Sequence, residues 1–457
     1  MKIPVEKNKE YIVEIIDNGF EGEGIAKIDN FTIFINGAIK GEKVRVLIVK
    51  VLSSHGFGKV IEILEKSQAR QDVDCNTYKR CGGCNLRHVK YEETLKMKQN
   101  AVQSLVNKTL KNKLQIKETV GMENPLHYRN KAQYPIGINK KGEPVIGVFA
   151  NRTHEVIPID NCLIQNKKSE EIAKFIIEFI KEKNISIYDE KKGKGLVRHI
   201  VTKVGIKTGE IMCVIVINGH KIPNENELVE NLKTRYPEIK AIVKNINMKN
   251  TNVILGQENI NLYGNGYIED ILGEYKFKIS PLSFYQVNPV QAEKLYNLGV
   301  SMAEITKNDV VFDLYCGIGT ISLFMSKFAK KVYGIEIVEE AVKMAKENAQ
   351  NNNVSNTEFF AGDVEIVLDD LINNKGLKAD VVMFDPPRKG LDKKSIDNIL
   401  NIRPKKIVYI SCNPATLIRD LADFENEYDI KTIIPVDMFP YTSHVECVSV
   451  LQLKQDV

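Results

Sequence analysis

From Ser283 onward, short apolar segments alternate with segments of helical spacing, and this alternation restricts the fold more than any other feature. A helix is predicted over about 289–305. The apolar strand Asp309-Val-Val-Phe-Asp-Leu follows, then a glycine turn. Further strands are expected at Lys331-Val-Tyr-Gly-Ile, Thr357-Glu-Phe-Phe, Asp380-Val-Val-Met-Phe and Lys406-Ile-Val-Tyr-Ile-Ser, with helices between them, one over 339–350. Strands that are apolar on both faces need cover on both sides, and helical crossovers supply it. The segment therefore reads as α/β, a doubly wound parallel sheet. Two last strands, near 430–436 and 445–453, lack a helix between them. They predict an antiparallel hairpin on the sheet edge.

The chain has 457 residues, too many for one ordinary core. Residues 1–66 show short alternating strands, among them Tyr11-Ile-Val-Glu-Ile-Ile and Phe31-Thr-Ile-Phe-Ile, around the glycine-rich turn Asp17–Gly24. Five such strands fit a small OB-type β-barrel. Residues 67–280 mix strands and helices, an α+β central domain with a helical pattern from Tyr91 to about Leu114. Residues 281–457 form the alternating domain. No apolar run is long enough to span a bilayer, and the first residues lack the apolar core of a signal peptide. A cytoplasmic protein with no membrane partner is expected. The net charge of +5, from 64 basic and 59 acidic residues, permits an RNA partner without demanding one.

The turn after the first strand of the alternating domain reads Phe312-Asp-Leu-Tyr-Cys-Gly-Ile-Gly-Thr320. Ligands of such sheets bind at the carboxyl ends of the strands. Gly317 and Gly319 let the backbone approach a ligand. Glu336 ends the next strand, where an acid accepts both hydroxyls of a ribose. A dinucleotide site needs a third glycine to seat a pyrophosphate, and Ser322 stands there instead. S-adenosylmethionine carries no pyrophosphate and fits the two-glycine turn. Asp363, after the third strand, is placed to bond an adenine amino group. Gln286, in Ser283-Phe-Tyr-Gln-Val-Asn288, can bond a cofactor or a base edge.

The strand ending Tyr409-Ile-Ser411 delivers Cys412 to the same face, followed by Asn413 and Pro414 as helix cap and first-turn proline. The positive end of that helix favours a thiolate. The alternative is an inert packed cysteine. Carbon 5 of uracil is too poor a nucleophile to take a methyl group from a sulfonium. Addition of a thiolate to carbon 6 activates it, and a base must then remove the carbon-5 proton. Glu446, in His444-Val-Glu446, offers that base; alone, it would read as a surface acid. Amino-group methyltransferases place an aromatic after an acid-Pro-Pro segment. Here Asp385-Pro-Pro is followed by Arg388, which argues against that chemistry.

Three of the eight cysteines, Cys75, Cys81 and Cys84, crowd into ten residues, and Cys162 lies in a later polar stretch. Three clustered thiols plus one distant thiol favour a four-iron, four-sulfur cluster, with structural zinc as the alternative. His127, Tyr128, Arg129 and Lys131 group cations with an aromatic, and Arg198 with His199 forms a second such set. Both read as RNA contacts or as solvated charged loops.

Together these residues resemble the RNA uracil-5-methyltransferase family, in its 23S ribosomal branch. The resemblance rests on Gly22-Glu-Gly-Ile-Ala, the Cys75/81/84/162 set, Ser283-Phe-x-Gln286-x-Asn288, Asp313-Leu-Tyr-Cys-Gly-Ile-Gly, Asp385-Pro-Pro-Arg-Lys-Gly, Ser411-Cys-Asn-Pro and His444-x-Glu446. It implies a TRAM barrel, a Rossmann-like class I methyltransferase domain and a central [4Fe-4S] cluster. It implies Cys412 as nucleophile, Glu446 as base, and S-adenosylmethionine contacts at Gln286, Tyr315, Glu336 and Asp385, with Asp363 or Thr320 beside them. It also implies that the helix around 93–124 packs with the catalytic domain. Transfer-RNA enzymes of the family lack the barrel and the cluster, so 23S rRNA and a monomeric protein are expected. A transfer-RNA enzyme and a non-catalytic iron–sulfur RNA-binding protein are the alternatives.

Overall fold

The structure, a computed structural model, describes residues 3–139, 141–150 and 153–455. The barrel holds β1 (Glu10–Glu14), β2 (Asp17–Asn18), β3 (Gly24–Ile28), β4 (Phe31–Asn36), β5 (Lys43–Val51) and β6 (His55–Glu65), in the order β1-β5-β6-β4-β3-β2. Alternate residues point inward, so Val13, Ala26, Ile33, Ile35, Val44, Val46 and Ile48 fill its interior. The strand beyond the five expected, β2, is a two-residue pairing with β3 inside what the sequence presents as a turn.

Helix α1 (Tyr91–Thr109) follows. It ends short of the expected Leu114 because the Glu425 carboxylate accepts the Lys111 and Asn112 N–H groups, both at 3.0 Å. The chain then runs extended along the penultimate strand of the molecule, where the N–H groups of Lys117 and Val120 donate to the carbonyls of Ile433 and Pro435. The expected helix over about 93–124 is thus a helix plus a strand-like arm.

The central sheet comprises β7 (Lys131–Ile138), β8 (Pro144–Phe149), β9 (Val156–Pro158), β10 (Val197–Val204), β11 (Ile211–Ile217), β12 (Ile239–Ile246) and β13 (Glu258–Tyr263), ordered β13-β12-β11-β10-β7-β8-β9. Helices α2 (Lys167–Glu182) and α3 (Glu225–Arg235) cover one face. The other face, with Val201, Met212, Val214 and Val216, joins a core shared with the C-terminal sheet. This double cover explains why β10 and β11 are buried along their whole length. The hairpin β14 (Ile268–Leu272) and β15 (Tyr275–Ile279) leans on the C-terminal unit, with Lys276 and Asn352 bonded in both directions.

The last unit runs α4 (Pro289–Ala303), β16 (Val310–Leu314), α5 (Thr320–Ser326), β17 (Lys331–Glu336), α6 (Glu339–Asn351), β18 (Thr357–Ala361), α7 (Val364–Asp369), β19 (Val381–Phe384), α8 (Lys393–Ile402), β20 (Lys406–Ser411), α9 (Pro414–Phe424), β21 (Tyr428–Val436) and β22 (Glu446–Leu453). The sheet order is β18-β17-β16-β19-β20-β22-β21. The five strands β16–β20 are parallel, and β22 is antiparallel to both its neighbours. Asn288 and Asn413 cap α4 and α9 with their side-chain oxygens, each followed by proline, as the sequence predicts. Among the described residues no helix is long and apolar enough to cross a membrane.

Helix α1 is tied to this unit by apolar packing of Val102 and Val106 beside Leu421 and Phe424, and by one ion pair. Lys98 and Asp437 pair with both side chains buried, and the Tyr91 hydroxyl donates to the same carboxylate at 2.8 Å. Removing one partner strands a charge in the interior. Asp437→Ala is expected to cost about 3–5 kcal/mol in a denaturant titration, and pairing it with Lys98→Met should recover much of that loss.

Candidate active site

The order of parallel strands reverses between β16 and β19, and the crevice at their carboxyl ends is where a doubly wound sheet holds its ligand. The turn after β16 is strained. Tyr315 takes φ +68°, and Gly317 and Gly319 take +54° and +80°. A Cβ on Gly319 would press on Ala345 and Phe359, so this glycine lets helix and sheet close. A Cβ on Gly317 would meet nothing within 4 Å; this glycine borders open space. Its N–H donates to the Glu336 carboxylate at 3.1 Å, and the Val338 N–H donates to the other oxygen at 2.9 Å. Glu336 is thereby held at the end of β17, facing the turn.

Three further acids gather here. Asp313 is buried in β16 and accepts the Ser322 hydroxyl, while its other oxygen has no partner among the described residues. Burial raises its pKa to about 7; Asp385 and Glu336 add to the rise and the Ser322 bond opposes it. Asp385 opens to the cleft on one side yet sits deep among protein atoms, and burial raises it to about 7 as well. Glu446 is buried at the start of β22, and burial with the charge of Asp385 lifts it to about 8, against the pull of Arg388. Tyr296 of α4 stands among these groups, its hydroxyl in hydrogen-bond reach of Gln286 and Thr320. Burial raises the Tyr315 hydroxyl, and the charges of Asp392 and Asp363 add to the rise. Asp363 is exposed and caps α7 through the Glu365 N–H at 3.0 Å.

Cys412 enters by register. Ser411 of β20 pairs with Cys447 of β22, so the next antiparallel step sets Cys412 against Glu446. The thiol pKa is raised by burial and by the charges of Glu446 and Asp385; Arg388 opposes them by charge and hydrogen bond. Burial and the two carboxylates thus oppose the thiolate that the N-terminus of α9 would favour.

The sequence reading gave no role to Asp313, Tyr296 or Arg388 as a thiol partner. Asp313 had a signal, being the one acid inside the apolar strand Val310–Leu314. Tyr296 had none, because it falls on the apolar stripe of α4.

Two expected RNA contacts are structural instead. Tyr128 is buried, and its hydroxyl donates to the Pro440 carbonyl. Arg198 is also buried: it donates to the carbonyls of Asn247 and Lys249, pairs with Glu190 and stacks on Tyr188 at 4.3 Å. His199 beside it is buried too. Burial lowers the His199 pKa to about 4, so its ring is neutral, and an arginine fixed in a fully buried strand cannot reach a phosphate. His127, Arg129 and Lys131 keep partial exposure, with the His127 ring fixed against the Gln165 carbonyl at 2.8 Å.

Among the described residues no group of three or more His, Cys, Asp or Glu stands in metal-binding geometry. The four central cysteines nonetheless share one electrostatic neighbourhood. Burial raises the Cys84 thiol to about 12, and the charges of Cys162, Cys81 and Cys75 add to the rise. Cys81 and Cys162 are raised in the same way, burial first. The thiols of Cys81, Cys84 and Cys162, each raised by burial and by cysteine neighbours, belong to a donor set that a cation would relieve.

Comparison with known proteins places this geometry. Residues 4–61 match the TRAM domain, and residues 90–454 match the tRNA (Uracil-5-)-methyltransferase family. An uncharacterized RNA methyltransferase of Clostridium acetobutylicum is 50% identical over 454 residues, 98% of each chain. One from Caldanaerobacter subterraneus is 47% identical over 98% of this chain and 99% of its own. The crystal structure of Pyrococcus abyssi tRNA (uracil-54, C5)-methyltransferase with S-adenosyl-L-homocysteine superposes with a TM-score of 0.76 at 26% identity, covering 97% of this chain and 100% of that one. The fold is that of an RNA methyltransferase with an N-terminal TRAM barrel. The chain belongs to the tRNA (uracil-5-)-methyltransferase family.

The buried acids have a measurable consequence. Their carboxyls ionise near pH 4 when unfolded, but at about 7 to 8 when folded. The folded protein therefore holds extra protons between those values, and stability falls as pH rises through the window. The thermal midpoint of the ligand-free protein is expected to drop from pH 5 to pH 8.5, with a shallower drop for Glu446→Gln. Equal slopes in both proteins would mean that Glu446 is not held protonated by the fold.

Proposed function

We propose that this protein transfers a methyl group from S-adenosylmethionine to carbon 5 of a uridine in RNA, through a covalent bond between Cys412 and carbon 6. One observation carries the reading: the β20–β22 ladder ends with Ser411 against Cys447, so Cys412 and Glu446 are the next residues beyond its last pair, at the carboxyl edge of the parallel strands. The Cys412 thiolate adds to carbon 6, and the ring electrons move onto the carbonyl as an enolate. Carbon 5 takes the methyl group, and the carbon–sulfonium electron pair stays on sulfur, releasing S-adenosylhomocysteine. The Glu446 carboxylate then removes the carbon-5 proton, the carbon 5–carbon 6 double bond re-forms, and the thiolate leaves. A base whose pKa lies near neutral suits that step.

The crevice suits the methyl donor. Asp313 keeps an unpartnered oxygen, and burial raises both Asp313 and Asp385, so a positively charged ligand would meet an uncompensated demand. In this reading Gln286, Tyr315 and Asp385 contact the donor, Glu336 takes its ribose hydroxyls, and Asp363 or Thr320 lies at its rim. His127, Arg129 and Lys131 lie on the RNA path. Cys75, Cys81, Cys84 and Cys162 hold a [4Fe-4S] cluster, which the mutual electrostatics of the four thiols supports.

The barrel together with the cysteine set supports 23S rRNA as substrate. A second reading, transfer RNA, is favoured by the Pyrococcus abyssi neighbour. That enzyme is a tRNA (uracil-54, C5)-methyltransferase, and it aligns with this chain along nearly its full length, so a full-length architecture does not by itself exclude tRNA.

Cys412→Ala should abolish methyl transfer while RNA binding survives; turnover at the wild-type rate would remove the covalent scheme. Glu446→Gln should slow turnover by about 10²–10⁴-fold and accumulate a protein–RNA adduct that survives denaturing gels. Mass mapping of 5-methyluridine in 23S and transfer RNA, with and without the gene, identifies the substrate. For the cysteine set, Cys84→Ala should purify with less than half the wild-type iron, by colorimetric assay.

A further inference from the structure

Cys84 is followed by three residues that grip the loop leading into Glu446. The Asn85 side chain accepts the Ser443 N–H at 2.8 Å and donates to the Ser443 hydroxyl at 2.9 Å. The same amide nitrogen donates to the Glu21 carbonyl of the barrel at 2.8 Å. The Leu86 N–H donates to the Tyr441 carbonyl at 3.0 Å. The Arg87 guanidinium lies 4.1 Å from the centre of the Tyr441 ring and is held there by a two-point pair with Asp74, at 2.7 and 2.8 Å.

The loop needs such a grip. Tyr441 adopts φ +62°, a left-handed conformation that a bulky side chain avoids. Strain of this kind persists only where surroundings impose it. Here they act on both the carbonyl and the ring of that one residue. From Tyr441 the chain has five residues to reach Glu446, and Val445 and Glu446 are already buried. The fit to the barrel is close as well: a Cβ on Gly22 would come within 2.4 Å of Leu86. The strap thus joins three parts of the molecule at the entrance to the last strand.

We propose that Asn85, Leu86 and Arg87 position the loop 441–446, and that Asn85 is a positioning residue for proton removal by Glu446. This rests on the function proposed above. Cys412 reaches the site from β20 and α9 and does not depend on the strap. Its addition to carbon 6 and the methyl transfer should survive a loosened loop, whereas elimination should not.

The test uses full-length protein and unmodified in vitro-transcribed 23S rRNA, or tRNA if mapping places the methyl group there. Asn85→Ala should lower steady-state turnover by about 10- to 100-fold, with the KM for RNA within about twofold. In single turnover the methyl group should reach RNA at the wild-type rate while the denaturation-resistant adduct persists. Asn85→Asp keeps the acceptor for the Ser443 N–H and should recover part of the loss. Ser443→Ala, far in sequence from the cysteines, should reproduce a milder form and decides the matter if Asn85→Ala does not fold. Iron content measured in each variant separates a loop effect from damage at Cys84; normal iron with slow elimination is the expected result. Wild-type turnover in both variants, or methyl transfer and elimination slowed alike without adduct, overturns the inference. So does slow elimination seen only in preparations that have lost iron. Adduct in Glu446→Gln but in neither of the other two overturns the strap alone. No adduct in Glu446→Gln overturns the mechanism beneath it.

Discussion

The site depends on one insertion in the sheet. β22 enters antiparallel between β20 and β21, so its first residue lies at the same edge as the last residues of the parallel strands. A parallel strand in that position would have carried Glu446 to the opposite end of the sheet. Reversing direction brings one more acid to the crevice, at a residue whose backbone pairs with Val436 of β21. The paired strand carries Glu446 to this edge, and the loop before it is fixed through Tyr441 and Ser443 by residues 85–87.

The acids form a set without matching cations. Asp313, Asp385 and Glu446 are all displaced upward by burial, and Arg388, the one cation that opposes the shift at both Glu446 and Cys412, is exposed. A fold ordinarily avoids collecting buried carboxylates. Here a positively charged methyl donor would supply the missing charge, and its arrival would lower the pKa of the base and of the thiol together. Donor binding would then prepare the groups that act on the second substrate, which couples the order of binding to readiness for chemistry.

Much of this was legible in the sequence, for identifiable reasons. The parallel sheet announced itself through apolar strands separated by helices, and Asn288-Pro289 and Asn413-Pro414 marked helix starts that the caps reproduce. Cys412 and Glu446 were visible because the proposed chemistry calls for one thiol and one base near a strand end. The RNA contacts were less legible. Tyr128 and Arg198 look like an RNA-facing surface in one dimension, but Tyr128 is buried in a loop and the strand of Arg198 is covered on both faces, and charge in sequence does not report burial. The end of α1 was misjudged because Glu425, over 300 residues away, claims the N–H groups that would have continued the helix. The positioning of loop 441–446 left no local signal, since its partners lie near residue 85.

The embrace of Lys98 by Asp437 spans 339 residues of chain. At ribosomal rates of about 5–20 residues per second, α1 is exposed for roughly 20 to 70 s before its counter-charge is made. During that interval Val102 and Val106 have no partner helix to cover them. The amino-terminal barrel and central sheet can assemble early, but the methyl-transferring half must wait for its final strand. Nascent chains arrested before residue 437 should thus be the aggregation-prone population, and a chaperone meeting this protein would find its quarry at α1.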